Sequence, residues 1–338
     1  MTQSMSGVEI KKIRYRDLKA WENLFAATFK DDVLPANINL HIRRIRQYYG
    51  ILRPLSQIFP SVRNYFNIYI ITVNGQIGGF FQVSYMNSRQ LHLDYITVSK
   101  SYRSRGIGAW TIQKLLERAQ KNALDVVLEV KADNPAYWLY KRLGFSPQAR
   151  ILHYEKEFAR RGVSLVAPHV PGLRKLEDRD RSRLHKLYLN SVPRRIQRHI
   201  LRDQGQTHSS LFQRNLEWFK NRLMKTAKQE YAVEVGGSII AILEIRSYPR
   251  DATHNINLRL DKNYESLRKP LMQYAVFLLQ KQYSKGRVHT TVYDDSAAKQ
   301  LTLDKLGFKL GATYSLMVHT ASTPLSEPKP CLKERTCP

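Results

Sequence analysis

The feature that most constrains this chain is an internal repeat at an offset of about 162 residues, which fixes its architecture before any single element is assigned. Ile10, Ile13, Asp17, Trp21 and Leu24 are answered by Leu173, Leu176, Asp180, Leu184 and Leu187. Both sets read as a short strand entering an amphipathic helix, with the Asp near the helix start. The run Tyr69 to Phe81 returns as Tyr231 to Leu243. Asn74-Gly75 in the first run and Gly236-Gly237 in the second tolerate the positive φ angles of a two-residue hairpin turn. Finally, Leu139, Leu143, Gly144 and Phe145 are echoed by Leu301, Leu306, Gly307 and Phe308. Three matches in one order mark two copies of one α/β domain.

The first copy reads as a strand, helices, an antiparallel hairpin, a strand at 91–98, a helix at 106–122, a strand at 126–130, a helix at 135–143 and a strand near 152–158. This is a mixed α/β fold, a mostly antiparallel sheet flanked by helices, present twice in tandem. The expected domains are 1–160 and 173–321, with a linker at 161–172 and a disordered tail at 322–338. A basic, aromatic insertion between Phe29 and Phe66 enlarges the first copy.

An apolar fraction of 43% with 25% charged residues belongs to a soluble globular protein, and no apolar run reaches the length of a membrane helix. The N-terminus lacks the basic start and apolar stretch of a secretory signal, so a cytoplasmic location is expected. Cys331 and Cys337 are the only cysteines and both lie in the tail. That excludes a disulfide framework, a cysteine nucleophile and a cysteine metal site from the body, and no metal is expected. The net charge of +27 creates a field that attracts polyanions, so the ribosome or nucleic acid are candidate partners. No nucleic-acid-binding motif accompanies it.

The strand ending at Val98 runs into Arg103-Ser104-Arg105-Gly106-Ile107-Gly108-Ala109, which opens a helix. Glycines there let the backbone approach a ligand closely, so that N–H groups and the helix start face phosphate oxygens. Neither G-x-G-x-x-G nor G-x-x-x-x-G-K-[ST] is present. The pattern Arg103-x-x-Gly106-x-Gly108 instead resembles the coenzyme A pyrophosphate loop of the GNAT acyltransferase family. The segment Leu128 to Phe145, with Glu129, Asn134, Tyr140, Gly144 and Phe145, resembles the second half of the GNAT site. The string Leu128-Glu129-Val130-x-Ala132-x-Asn134 is most similar to the N-terminal acetyltransferases of ribosomal-protein alanine.

The resemblance implies an N-acetyltransferase in which an amine attacks the thioester of acetyl-coenzyme A directly, with a base to deprotonate the ammonium and an acid to serve the sulfur. It implies Tyr140 as the acid. Glu129 and Asp94 are both candidates for the base. It also implies that the backbone of Ile96, Thr97 and Val98 pairs with the pantetheine arm, and that residues 103–109 and Asn134 contact the cofactor. Asn134 before Pro135 is equally a helix-capping residue. The acceptor amine is either a protein N-terminus or lysine, or a small molecule. The competing class is a basic binding protein that senses acyl-coenzyme A or associates with RNA.

In the second copy, Glu265, Arg268 and Pro270 stand where Arg103, Gly106 and Gly108 stand in the first. A carboxylate repels pyrophosphate, and proline lacks an N–H donor. Val292, Ala297 and Leu303 are read at the Glu129, Asn134 and Tyr140 positions. The second copy is therefore expected to be a degenerate domain that binds no coenzyme A.

Overall fold

The computed structural model describes residues 5–28, 46–47, 49–58, 64–159, 167–193, 196–197, 226–249 and 252–322. Most of the basic insertion, residues 160–166 of the expected linker region, and the tail from residue 323 with both cysteines lie outside the described residues. The chain divides into two compact units, Met1–Gln148 with Leu316–Pro338, and Ala149–Ser315.

The first unit is built from β1 (Val8–Lys12), α1 (Leu18–Thr28), α2 (Tyr49–Ile58), β2 (Ile68–Val73), β3 (Gln76–Asn87), β4 (Gln90–Val98), α3 (Ile107–Lys121), β5 (Asp125–Lys131), α4 (Ala136–Arg142) and the start of β6 (Ser146–Ala159). The second holds the rest of β6, β7 (Leu173–Lys175), α5 (His185–Ser191), β8 (Ala227–Val235), β9 (Ser238–Tyr248), β10 (Thr253–Leu260), α6 (Arg268–Gln282), β11 (Lys285–Tyr293), α7 (Ala297–Lys305) and most of β12 (Lys309–His319).

Strand order in the first unit is β1-β2-β3-β4-β5 followed by the end of β12, and in the second it is β12-β6-β11-β10-β9-β8-β7. All neighbours with a recorded register are antiparallel except β4–β5 and β10–β11. The compact units part at 148 and 315, within β6 and β12.

The repeated signals act alike in both copies. Asn74 and Gly75 have φ of 48° and 80°, Gly236 and Gly237 of 53° and 73°, as a primed hairpin turn needs. Asp17 accepts from the Arg14 N–H at 2.9 Å, and Asp180 from the Glu177 N–H at 2.8 Å, so each Asp holds the turn that opens its helix. Asp180 is fully buried and paired with Arg174, which holds its carboxyl at about 2.

One face of the first sheet is covered by α3, whose Ile112, Leu115, Leu116 and Ala119 pack with Leu91, Leu93, Val126 and Leu128. On the opposite face α1 brings Phe25 against Phe80 at 5.7 Å and Tyr95 at 5.2 Å between ring centroids. Gly79 is required where β3 meets β4, since a Cβ there would lie 2.4 Å from the Thr97 carbonyl oxygen.

In the second unit His254 is fully buried, with Nδ1 2.9 Å from Ser247 Oγ and its ring against Phe158 and Tyr283. Burial, with His289 nearby, lowers its pKa from 6.5 to about 4. A histidine lowered in the fold contributes stability that is complete above the unfolded value and is lost as pH falls through the folded one. The second unit should lose about 3 kcal/mol from this group between pH 6.5 and 4. Urea unfolding of wild type and His254→Gln across that range checks this. The variant should show a flatter acid limb, and an unchanged one would contradict the assignment.

Candidate active site

The parallel ladder between β4 and β5 runs from Gln90↔Asp125 to Leu93↔Leu128 and stops there, although β4 continues to Val98 and β5 to Lys131. Beyond that point the two strands no longer pair. Backbone groups of β4 from Asp94 onward thus face a gap into which an extended ligand can insert as a strand would. Ile96 and Val98 border the α3 side of the sheet. Thr97 points the other way, its Oγ1 3.3 Å from Thr28.

A bulge marks the same point. Gln82 pairs with Tyr95 and Val83 with Leu93, which leaves Asp94 as an extra residue on β4. Asp94 shares the face of Ser84 and α1, and the insertion brings Tyr95 to that same face, as bulges beside functional sites commonly re-aim a side chain. Asp94 Oδ1 is 2.8 Å from His92 Nδ1, and Asp94 Oδ2 accepts from Ser84 Oγ at 2.5 Å. Both oxygens of Asp94 are engaged.

Glu129 lies on β5 just beyond the last paired residue. It retains solvent exposure, and no hydrogen bond or ion pair ties it to another described residue. Its position among protein atoms raises its pKa above the ordinary carboxylate value. His92 offsets this in part, and the Asp94 charge adds to it. Tyr140 approaches from the other face, packed with Phe145 at 5.6 Å. Burial pushes its pKa to about 12, so the phenol keeps its proton throughout the physiological range.

The loop after β4 is exposed and closes on Gly106, whose φ of 77° belongs to the left-handed region. Ser104 also has positive φ, 61°. The N–H groups of residues 104–109 donate to no backbone carbonyl among the described residues, while the Gly106 carbonyl accepts the first helical bond from Trp110. A run of such donors at the start of a 15-residue helix is an anion cradle. Arg103 folds back so that Nε donates to the Val98 carbonyl at 3.0 Å, and Arg105 lies over Tyr102. Asn134 precedes α4, its Oδ1 accepting from the Ala136 N–H at 2.9 Å.

The second unit repeats the frame without this equipment. Its parallel ladder also spans four pairs, Thr253↔Arg287 to Ile256↔Thr290, but β10 carries no bulge. The Arg268 side chain is buried at the head of α6 and forms an ion pair with Glu265. The loop position is thus filled by a side-chain pair, and the short helix Lys262–Leu267 replaces the open turn. The ladders correct one alignment: Glu129, which follows Leu128, corresponds to Thr291, which follows Thr290, and not to Val292. Val292 is buried, as Val130 is. Leu303 does occupy the Tyr140 position, since both are buried and precede the positive-φ Gly307 and Gly144 by the same spacing.

Sequence reasoning missed His92 and Ser84. The available signal was the His92-x-Asp94 alternation, which places both side chains on one strand face. Among the described residues, no helix is long and apolar enough to cross a membrane.

Residues 40–145 match the model of the Acetyltransferase (GNAT) family. No curated protein matches the chain. The GCN5-related N-acetyltransferase from Sphaerobacter thermophilus is similar in structure, with a TM-score of 0.62 at 14% identity over 95% of this chain and 98% of that one. A tandem GNAT protein from the clavulanic acid biosynthesis pathway gives 0.60 at 13% identity, over 94% of this chain and 99% of that one. The N-myristoyltransferase of Saccharomyces cerevisiae, with bound myristoyl-CoA, gives 0.54 at 13% identity, over 96% and 85%. At these identities the likeness is one of fold.

Proposed function

We propose that this chain moves an acetyl group from acetyl-coenzyme A to an amine at the gap between β4 and β5, a reading supported by the match of residues 40–145 to the Acetyltransferase (GNAT) family model. The observation that carries the reading is the juxtaposition of that gap with the open N–H cradle of residues 104–109. The pyrophosphate lies on the cradle and helix α3, with Arg103 and Arg105 adding positive charge. The pantetheine arm pairs with the backbone of Ile96, Thr97 and Val98, whose N–H groups polarise the thioester carbonyl. Asn134 contacts the arm through its side-chain amide.

Glu129 is the base. It is preferred to Asp94 because both Asp94 oxygens are already hydrogen-bonded, and because its raised pKa suits proton abstraction nearer neutrality. Tyr140 serves the sulfur from the opposite face of the sheet. With a pKa of about 12 against about 8.5 for a thiol, full proton transfer costs about 5 kcal/mol, so Tyr140 acts as a hydrogen-bond donor to the departing thiolate.

The acceptor is a protein N-terminus or lysine, or a small-molecule amine; the likeness of residues 128–134 to the ribosomal-protein-alanine enzymes favours the first. The second copy is degenerate and binds no coenzyme A, a reading supported by the Arg268–Glu265 pair in its loop position. Thiol release from acetyl-coenzyme A with a panel of amines and N-terminal peptides tests the activity. In Tyr140→Phe, turnover should fall roughly 100-fold, the cost of one donor to a developing anion, with acetyl-coenzyme A affinity unchanged. An unaltered rate removes Tyr140 from the reaction.

A further inference from the structure

His92 shares a strand face with the proposed base, and its ring is oriented by a second carboxylate. Its Nδ1 lies 2.8 Å from Asp94 Oδ1. An ionised carboxylate only accepts, so Nδ1–H donates and the neutral ring is held as the tautomer whose Nε2 carries the lone pair. Ser84 Oγ, from β3, donates to the other oxygen of Asp94 and keeps that carboxylate from turning away. Val127 stands opposite His92 in the β4–β5 ladder, and Glu129 follows two residues later on the same face. The charged groups acting on the imidazole are thus Asp94 from its own strand and Glu129 from β5, while β3 contributes the neutral Ser84.

We propose that His92 is a proton relay, accepting at Nε2 the proton that Glu129 removes from the acceptor ammonium and passing it to water. The inference rests on the acyl-transfer reading of this site. In the first step the N–H bond of the ammonium breaks as an O–H bond forms on Glu129, the freed nitrogen lone pair attacks the thioester carbonyl, and collapse of the adduct breaks the C–S bond while the second proton of the adduct nitrogen passes to the departing thiolate. The Glu129 O–H bond then breaks as a water between the two side chains takes the proton and gives one of its own to Nε2, leaving an imidazolium beside Asp94. Loss of this proton to water restores both groups, and no other reactant is consumed.

The electrostatics support the geometry. Burial alone would lower the imidazole pKa, but the hydrogen bond to Asp94 and the charges of Asp94 and Glu129 outweigh it and leave the ring above 6.5. Glu129 is raised as well, which brings its proton affinity toward the range of an ordinary imidazole. Because His92 acts through Glu129, it is a positioning residue with respect to the acceptor.

Nitrogen-15 NMR of the full chain, with the His92 signals identified by their loss in His92→Gln, tests the arrangement. The expected result is an Nδ1–H tautomer with a protonation midpoint above 6.5 that falls in both Asp94→Asn and Glu129→Gln. In parallel, acetyl transfer to an alanine-initiated peptide should fall about tenfold in His92→Gln at constant KM. The acid limb of kcat/KM should also move to higher pH, because Glu129 loses the partner that lowers its pKa. An Nε2–H tautomer, or a midpoint indifferent to Glu129→Gln, in an active enzyme overturns the relay alone. Acetyl-coenzyme A binding with no transfer to any amine overturns the acyl-transfer reading and the relay with it.

Discussion

Replacing Glu129 by Gln should lower kcat/KM roughly 1,000-fold, within the range for removing a positioned general base, while acetyl-coenzyme A binds as before. The substitution keeps the shape of the side chain and removes only its ability to take a proton. Glu129 is the carboxylate at the open end of the β4–β5 ladder that is not already engaged, so nothing nearby replaces it without rearrangement. Its raised pKa also predicts the form of the pH profile. Wild-type activity should rise with pH as the carboxylic acid ionises above the ordinary carboxylate range, and the variant should lack that limb. Steady-state kinetics from pH 5 to 9 measure both. A variant within a few fold of wild type would move the base to Asp94.

The second large effect is expected at Gly106. Its φ of 77° is one that β-branched residues adopt only at a cost of about 1–3 kcal/mol, so Gly106→Val should pull the turn toward negative φ. The open N–H groups of residues 104–109 would then be displaced, and the hydrogen bonds proposed to the pyrophosphate would be lost together. Because the loop is exposed, the fold should survive: the contact a Cβ would make is with the flexible end of Met5 at 3.2 Å. Binding of acetyl-coenzyme A should weaken at least 100-fold while the melting temperature changes little. Loss of the fold along with binding would show that the glycine serves the turn and not the ligand.

Much of the fold was legible because local chemistry dictated it. Asn74-Gly75 and Gly236-Gly237 had to be primed turns, and Asp17 and Asp180 had to open helices, since each satisfies a backbone requirement within a few residues. The loop from Arg103 to Ala109 was legible for the same reason. The Asp94 bulge was not, because an inserted residue is defined only by the strand across from it. The sequence alignment of the two copies took Val292 for the counterpart of Glu129 where Thr291 stands, because the one-residue change of offset seen at Gly144 and Gly307 was carried back across β5. His92 was passed over because its significance lies in long-range neighbours. Nothing local states that Ser84 holds the Asp94 that holds His92. The passage of β6 and β12 between the compact units is likewise a matter of pairing over more than 100 residues, which no nearby residue announces.

The central claim is that one copy of the repeat is equipped for an acyl-coenzyme A and the other has its loop position filled by Arg268 and Glu265. Titration calorimetry of the full chain with acetyl-coenzyme A tests it most directly. The account predicts one binding event per chain, absent in Gly106→Val and unchanged in Arg268→Ala. Two binding events, or a single one that survives Gly106→Val, would contradict it.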